Sequence, residues 1–313
     1  MRKESYKIIL LTIGLAFFFV SNAHSSYIFT TIDFPGTTRT GPYGINNSGM
    51  IVGFQDSNNG YNGFSYDGSN FNSIHFPGSY FTEALGVSNS GMIVGEYRNS
   101  SGNHGYLYNG QSYTTIDFPG HIYTVANGIN NSGMIVGYGQ DTFFGSGPSH
   151  GFLFNGSSFI TIDVPGASST TAQGINDAGT VVGWYYSAGG VLNGFLYKQG
   201  VFTTFAFNFP GALYTIPLGI NNSGLIAGTA LYGPGYSNKG LVYDGSNFTT
   251  IDFPDAKDTY VSGINDTGAV VGIYWNNDNS EHGFVATPVP EPSTVLLIGS
   301  GLLGLIGVRR FKK

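Results

Sequence analysis

The sequence repeats itself six times. The segment Gly44-Ile45-Asn46-Asn47-Ser48-Gly49-Met50-Ile51-Val52-Gly53 recurs from Gly86, Gly128, Gly174, Gly219 and Gly263, at intervals of 42, 42, 46, 45 and 44 residues. A second block, Thr31-Ile32-Asp33-Phe34-Pro35-Gly36, recurs with its proline at Pro77, Pro119, Pro165, Pro210 and Pro254. A third begins with a glycine and Phe, Tyr or Leu: Gly63-Phe64, Gly105-Tyr106, Gly151-Phe152, Gly194-Phe195, Gly240-Leu241 and Gly283-Phe284. A fixed period in the 20–50 residue range is the mark of an array, a solenoid or a ring of stacked units.

Each unit resolves into four short strands. Strand a ends in Gly-Ile-Asn and leads through an Asn-Ser-Gly turn, whose glycine suits a positive φ, into strand b, Met-Ile-Val-Gly plus aromatics. Strand c is the Gly-Phe-Ser-Tyr stretch. Asp67-Gly68, Asn109-Gly110, Asn155-Gly156, Gln199-Gly200 and Asp244-Gly245 follow it and predict two-residue hairpins. Strand d is Phe-Thr-Thr-Ile-Asp-Phe, ending where proline cannot donate to a ladder. Four antiparallel strands in about 44 residues is the size of one propeller blade. The last unit stops after strand c, and the missing strand d stands at the other end as Tyr27–Phe34. The predicted fold is therefore all-β: a six-bladed β-propeller of four-stranded blades over residues 24–288, with the N-terminal strand completing the last blade. An open β-repeat array is the alternative.

Composition supports short strands and excludes several functions. There are 49 glycines, 25 phenylalanines and 21 tyrosines but no cysteine, which removes disulfides, thiolate nucleophiles and cysteine metal sites. Residues 24–290 hold five basic against sixteen acidic side chains, a net charge of −11 that repels phosphate backbones and speaks against nucleic-acid binding.

The two ends read as addresses. Arg2, Lys3 and Lys7 precede an apolar Ile8–Val20 run and the small residues Ser21-Asn22-Ala23, predicting a signal peptide over 1–23. At the other end, Pro290-Glu291-Pro292 leads into the apolar run Val295–Val308, closed by Arg309-Arg310-Phe311-Lys312-Lys313. This 289–313 segment resembles the PEP-CTERM sorting signal. The resemblance implies recognition of Pro290, Glu291 and Pro292 by an exosortase-type processing enzyme, transient anchoring in the inner membrane, and release to the cell surface or extracellular space. A plain membrane anchor is the alternative. Gly299-Ser300-Gly301-Leu302-Leu303-Gly304 matches a dinucleotide fingerprint, but no strand precedes it and no βαβ unit follows, so glycines of an apolar helix account for it. The repeats themselves are similar to the HAF family of extracellular repeats. Its His-Ala-Phe position reads His104-Gly105-Tyr106, His150-Gly151-Phe152 and His282-Gly283-Phe284 here. That resemblance implies a secreted or surface protein and carries no activity.

Length variation locates the candidate site. The d–a and a–b segments keep constant lengths, whereas the b–c connections run 10, 10, 14, 11, 12 and 11 residues between flanking glycines. Variable loops on a repeated scaffold are where binding concentrates. On them or beside them lie Tyr97, Arg98, Phe143, Phe144, Trp184, Tyr185, Tyr232, Tyr236 and Trp275, aromatic faces suited to stacking on sugar rings. Packing between blades is the competing account of these rings. Asp33, Asp117, Asp163 and Asp252 share one repeat position and Thr40, Thr82, Thr124, Thr170, Thr215 and Thr259 another; such repetition points to backbone satisfaction rather than catalysis. No EF-hand spacing occurs, His104, His150 and His282 belong to different units, and neither a metal nor a cofactor is expected. The expected function is a non-catalytic surface or matrix protein that binds exopolysaccharide or a protein partner. The alternative is a polysaccharide-active hydrolase or lyase, for which Glu83, Glu96, Asp141 and Glu281 are the unrepeated acids.

Overall fold

The computed structural model describes residues 27–57, 60–142, 147–205, 207–233 and 237–289. They form 24 β-strands, and no helix among them is long and apolar enough to cross a membrane. The architecture is all-β and propeller-like. Residues 1–23, the 290–313 part of the sorting segment with Pro290, Glu291 and Pro292, and the site candidates Phe143, Phe144 and Tyr236 lie outside the described residues.

Each repeat makes an antiparallel meander in the order a–b–c–d. In the first unit these strands are Thr40–Ile45, Ile51–Ser57, Gly60–Tyr66 and Phe71–Ile74. The second and third units are joined into one eight-stranded sheet by a single parallel pairing, Tyr123 with Asn103. The sixth unit contributes Asp258–Ile264, Val270–Trp275 and Glu281–Pro288, and its fourth strand is Tyr27–Ile32, running in register from Tyr27 opposite Pro288 to Ile32 opposite Gly283.

Two local expectations need correction. Of the five predicted c–d hairpins, only Gln199-Gly200 is a two-residue turn, with both residues at positive φ. The other four c–d connections have four residues, because the side-chain oxygen of the leading Asp or Asn accepts two backbone N–H groups and stabilises a wider turn. Asp67 Oδ1, for example, takes Ser69 N–H at 2.9 Å and Asn70 N–H at 2.7 Å. Strand d also stops earlier than expected, at Ile74 rather than at the proline. The N–H of Phe76 leaves the ladder for Thr82 Oγ1 at 3.1 Å, and the same bond recurs from Phe34, Phe118, Val164, Phe209 and Phe253 to the other five repeated threonines. The threonines are structural acceptors.

Strand a carries a bulge in every unit, skipping Tyr43, Leu85, Asn127, Gln173, Leu218 and Ser262. The strand-b glycine opposite is obligatory: a Cβ on Gly95 would lie 1.9 Å from the Glu83 carbonyl oxygen. The six bulged residues, one per unit, all line a single 240 Å³ cavity. Apolar packing lies between neighbouring sheets instead. Val52 and Ile74 of the first unit pack with Ala84, Ile93 and Tyr106 of the second, and Ala269, Val271 and Ile32 pack with Ile45, Ile51 and Phe64 of the first.

The repeated Asn-Asn turns are bonded from unit to unit. The backbone N–H of Asn47 donates to Asn89 Oδ1, Asn89 to Asn131, Asn131 to Asp177, Asp177 to Asn222, Asn222 to Asp266, and Asp266 to Asn47, all at 2.7–2.9 Å. A second belt runs beneath it from the amide of Asn46 to Ser88 O, Asn130 to Asn176 O, Asn176 to Asn221 O, Asn221 to Asn265 O, and Asn265 to Asn46 O. The second unit has Ser88 where the others have asparagine, so one link of this belt is absent. Ser88→Asn should supply it, stabilising the protein by about 1 kcal/mol. In thermal denaturation the midpoint should rise by about 2–4 °C; an unchanged or lower midpoint would show that the belt adds no net stability there.

Candidate functional site

The residue after the strand-b glycine differs in every unit: Phe54, Glu96, Tyr138, Trp184, Thr229 and Ile273. Two residues further along the same face stand Asp56, Arg98, Gln140, Tyr186, Leu231 and Trp275. Units two, three and four thus present Glu96 and Arg98, Tyr138 and Gln140, and Trp184 and Tyr186. All but Glu96 line a cavity of 680 Å³, which Tyr123 and the hydroxyl residues Ser149, Ser168, Ser169 and Thr171 complete.

Its lining is both aromatic and polar. Trp184 and Tyr186 meet edge to face at 5.6 Å, while Tyr123 and Tyr138 lie near-parallel at 6.3 Å. Ser149 Oγ is bonded to Ser169 Oγ at 2.6 Å and to Thr171 Oγ1 at 2.9 Å. Gln140 is 7% exposed; its amide donates to Gly147 O at 3.2 Å, and its Oε1 has no partner among the described residues. A second cavity of 310 Å³ adjoins the first and shares Arg98 and Tyr123 with it, with Tyr80, Asn103 and the 99–102 turn around it.

Arg98 is held at this junction. Its guanidinium lies 4.1 Å above the Phe81 ring and donates from Nη2 to Glu96 Oε1 at 3.3 Å and to the Tyr123 hydroxyl at 3.4 Å. Burial works against the cation, but Glu96 and Tyr123 outweigh it and raise its pKa. Burial, reinforced by Glu96, likewise lifts the Tyr123 and Tyr138 hydroxyls well above the ordinary tyrosine range, so both stay protonated donors.

Beneath Arg98 lies a carboxyl pair. Glu83 and Glu96 are direct cross-strand partners and both line the 240 Å³ cavity. Glu96 accepts from Arg98, the Asn103 amide and the Tyr123 hydroxyl. Desolvation, then repulsion from Glu96, pushes Glu83 up to about 8, with Arg98 and Arg39 opposing. Of the four acids singled out from sequence, these two meet. Glu281 instead accepts from Arg39 at 2.7 and 3.0 Å, and Asp141 pairs with His121 at 2.7 Å.

The sequence-derived candidates separate accordingly. Arg98 and Trp184 line the large cavity. Tyr97, 4% exposed, faces the other way, stacked on Phe76 at 3.5 Å and bonded to Thr115 Oγ1 at 2.9 Å, so it is a packing residue and not a surface ring. Tyr185 also turns from the cavity and packs against the Val136 and Phe195 cluster. Tyr232 and Trp275 belong to other units, Trp275 meeting Tyr260 edge to face at 4.9 Å. The His and Asp repeat positions prove to be each other's partners: His104–Asp117, His150–Asp163 and His282–Asp33 at 2.7–2.8 Å, with Lys239–Asp252 in the fifth unit and the pair exchanged as Asn62–His75 in the first. Among the described residues no three His, Asp or Glu side chains converge as a metal site.

Residues 288–310 match the PEP-CTERM protein-sorting motif, which implies export, processing by an exosortase-type enzyme, and a surface or extracellular destination. No curated protein matches the chain. Among solved structures it is similar to a lectin from Aleuria aurantia in complex with Fucα1-6GlcNAc, at 12% identity over 82% of this chain and 99% of the lectin, TM-score 0.52. It is also similar to a fucose-specific lectin from Aleuria aurantia, at 13% identity over 84% and 99%, TM-score 0.51. TolB from Acinetobacter baumannii matches at 12% identity over 72% of this chain and 60% of TolB, TM-score 0.50. These likenesses are of fold alone.

Proposed function

We propose that the six units close into a six-bladed β-propeller through the N-terminal strand, and that the protein is a non-catalytic surface or matrix component binding exopolysaccharide. A signal peptide over 1–23 exports it, and the apolar run Val295–Val308 anchors it in the inner membrane until processing. The similarity of the repeats to HAF-type units supports the same destination. The bonds from Asn265 and Asp266 to the first unit, and the single cavity lined by all six bulged residues, support closure.

One observation carries the binding assignment: the 680 Å³ cavity is lined by four aromatic side chains, Tyr123, Tyr138, Trp184 and Tyr186, together with Gln140, Arg98 and four hydroxyl residues. Aromatic faces accept the apolar face of a sugar ring, and hydroxyl and amide side chains around them bond to its hydroxyls. Two structurally similar proteins are lectins, and the fold is compatible with that use. Of the sequence-derived set, Arg98 and Trp184 keep a binding role, joined by Tyr123, Tyr138, Gln140 and Tyr186. The full-length chain should co-sediment with the exopolysaccharide of the cells that produce it, and Trp184→Ala should weaken this at least tenfold, as loss of a central aromatic anchor does. Retention of full binding by that variant would remove the assignment.

The Glu83–Glu96 pair favours a second reading, a polysaccharide-active hydrolase or lyase, because unequal carboxyl environments are how acid and base are told apart. Against it, three donors occupy Glu96. New reducing ends or unsaturated sugars in the same incubation would establish the enzyme and displace the binding role.

A further inference from the structure

The molecule has five buried side-chain polar atoms without a partner among the described residues: Arg98 Nε, Asn103 Oδ1, Tyr106 OH, Gln140 Oε1 and Glu281 Oε1. Three of them are on residues around two adjoining cavities. Gln140 is among the residues lining the 680 Å³ cavity, Asn103 lines the 310 Å³ cavity, and Arg98 lines both. An unmade bond at a buried polar atom costs free energy, so such atoms are rare unless something external satisfies them. The polar side chains that line the two cavities, Arg98 and Tyr123 shared between them with Ser149, Ser168 and Ser169 in the larger, fit a ligand that offers hydroxyl groups along its length.

We infer that the two cavities are one elongated site for a neutral oligosaccharide chain, which crosses the Arg98–Tyr123 wall and sets successive sugar units on its two sides. This rests on the carbohydrate-binding reading above and extends it to chain length and charge. Each cavity falls within the roughly 300–1,000 Å³ range of small-molecule sites, so each accepts at least one ring. Each also has an aromatic surface, Trp184 with Tyr186 in the larger and Tyr80, 58% exposed, beside the smaller.

Charge favours a neutral ligand. Among the described residues the only cation lining either cavity is Arg98, and Glu96 already offsets it at 3.3 Å. A uronate would meet a guanidinium whose charge Glu96 already offsets, and would approach a body of net charge −11. Asn103 is itself tied by its amide to Glu96, so its free oxygen is held in one orientation rather than left to rotate.

The chain has two tryptophans, Trp184 and Trp275. Trp275→Phe leaves Trp184 as the sole indole reporter of the larger cavity. The probes are oligosaccharides of one to six units, prepared by partial acid hydrolysis of the producing cells' exopolysaccharide and split by anion exchange into neutral and acidic fractions. Titration of the full-length Trp275→Phe chain should give an affinity for the neutral series that rises about tenfold as the length comes to span both cavities, then levels. Tyr80→Ala should remove most of that gain and leave the shortest binding sugar unaffected, while Tyr80→Phe keeps it. An affinity independent of length, no effect of Tyr80→Ala, or preference for the acidic fraction would each overturn the elongated neutral site while leaving polysaccharide binding in place. Failure of every oligosaccharide and of the intact polymer would overturn both.

Discussion

Deleting residues 24–35 should unfold the entire repeat domain rather than fray one edge. Strand Tyr27–Ile32 is bonded along its whole length to Glu281–Pro288, the last of the described strands. Ile32 is buried against the first unit, and Phe29 packs on Phe253 at 5.4 Å and Phe284 at 5.8 Å. Phe34 packs on Phe71 at 5.2 Å, and its N–H is the donor that Thr40 is placed to accept. Three such side chains at about 2 kcal/mol each, with the strand's hydrogen bonds, approach the whole stability of an ordinary domain, about 5–15 kcal/mol. The expected result is loss of the cooperative thermal transition, read by near-ultraviolet circular dichroism. Moving Tyr27–Phe34 behind Pro288 through a short glycine linker should restore it, because a ring needs the strand but not its place in the chain. An open array predicts otherwise: a chain that melts cooperatively after the deletion, with the other five units intact, would refute closure.

The repeat made the strands, their order and the pairing of Tyr27–Ile32 with Glu281–Pro288 legible, because every unit states the same pattern again. The threonines were also readable as structural, since six copies of one residue serve one backbone need. What misled was the loop reading of Tyr97-Arg98 and Trp184-Tyr185. Both pairs lie on strand b, and alternation sends one member of each to the cavity and the other into packing between sheets. A signal for the cavity was available in the run Phe54, Glu96, Tyr138, Trp184, Thr229 and Ile273, where an otherwise repeated strand changes residue in every unit. The Glu83–Glu96 pair was not readable. Without the bulge at Leu85, the register would set Glu83 opposite Tyr97; the skipped residue moves it to Glu96. A single-residue irregularity thus decides whether two carboxyls meet, and the local sequence around Leu85 does not mark it.

That pair has the second large consequence. Glu83→Gln should leave stability at pH 5 nearly unchanged and raise it at pH 9 by on the order of 3 kcal/mol. The sign follows from the direction of the shift. Burial and the Glu96 carboxylate push Glu83 up to about 8 from an ordinary 4.5, so the native state holds a proton that the unfolded chain releases. The stability this lends is full below about 4.5 and is lost as pH rises toward and through about 8. The charged and titratable groups bearing on Glu83 are Glu96, Arg98 and Arg39, with Tyr43 and Tyr138 lining the same cavity. Both tyrosines are pushed upward by burial, so neither releases a proton within this window. Glutamine keeps the shape and cannot ionise, which removes the penalty without opening a void. Urea unfolding of the full-length chain at pH 5, 7 and 9 should show wild type falling and the variant nearly flat. Parallel curves would mean that Glu83 reaches water and ionises normally. Glu96→Gln supplies the contrast: it removes the repulsion that helps raise Glu83, but it deprives Arg98 of its carboxylate, so it should cost stability at every pH and flatten the decline only in part.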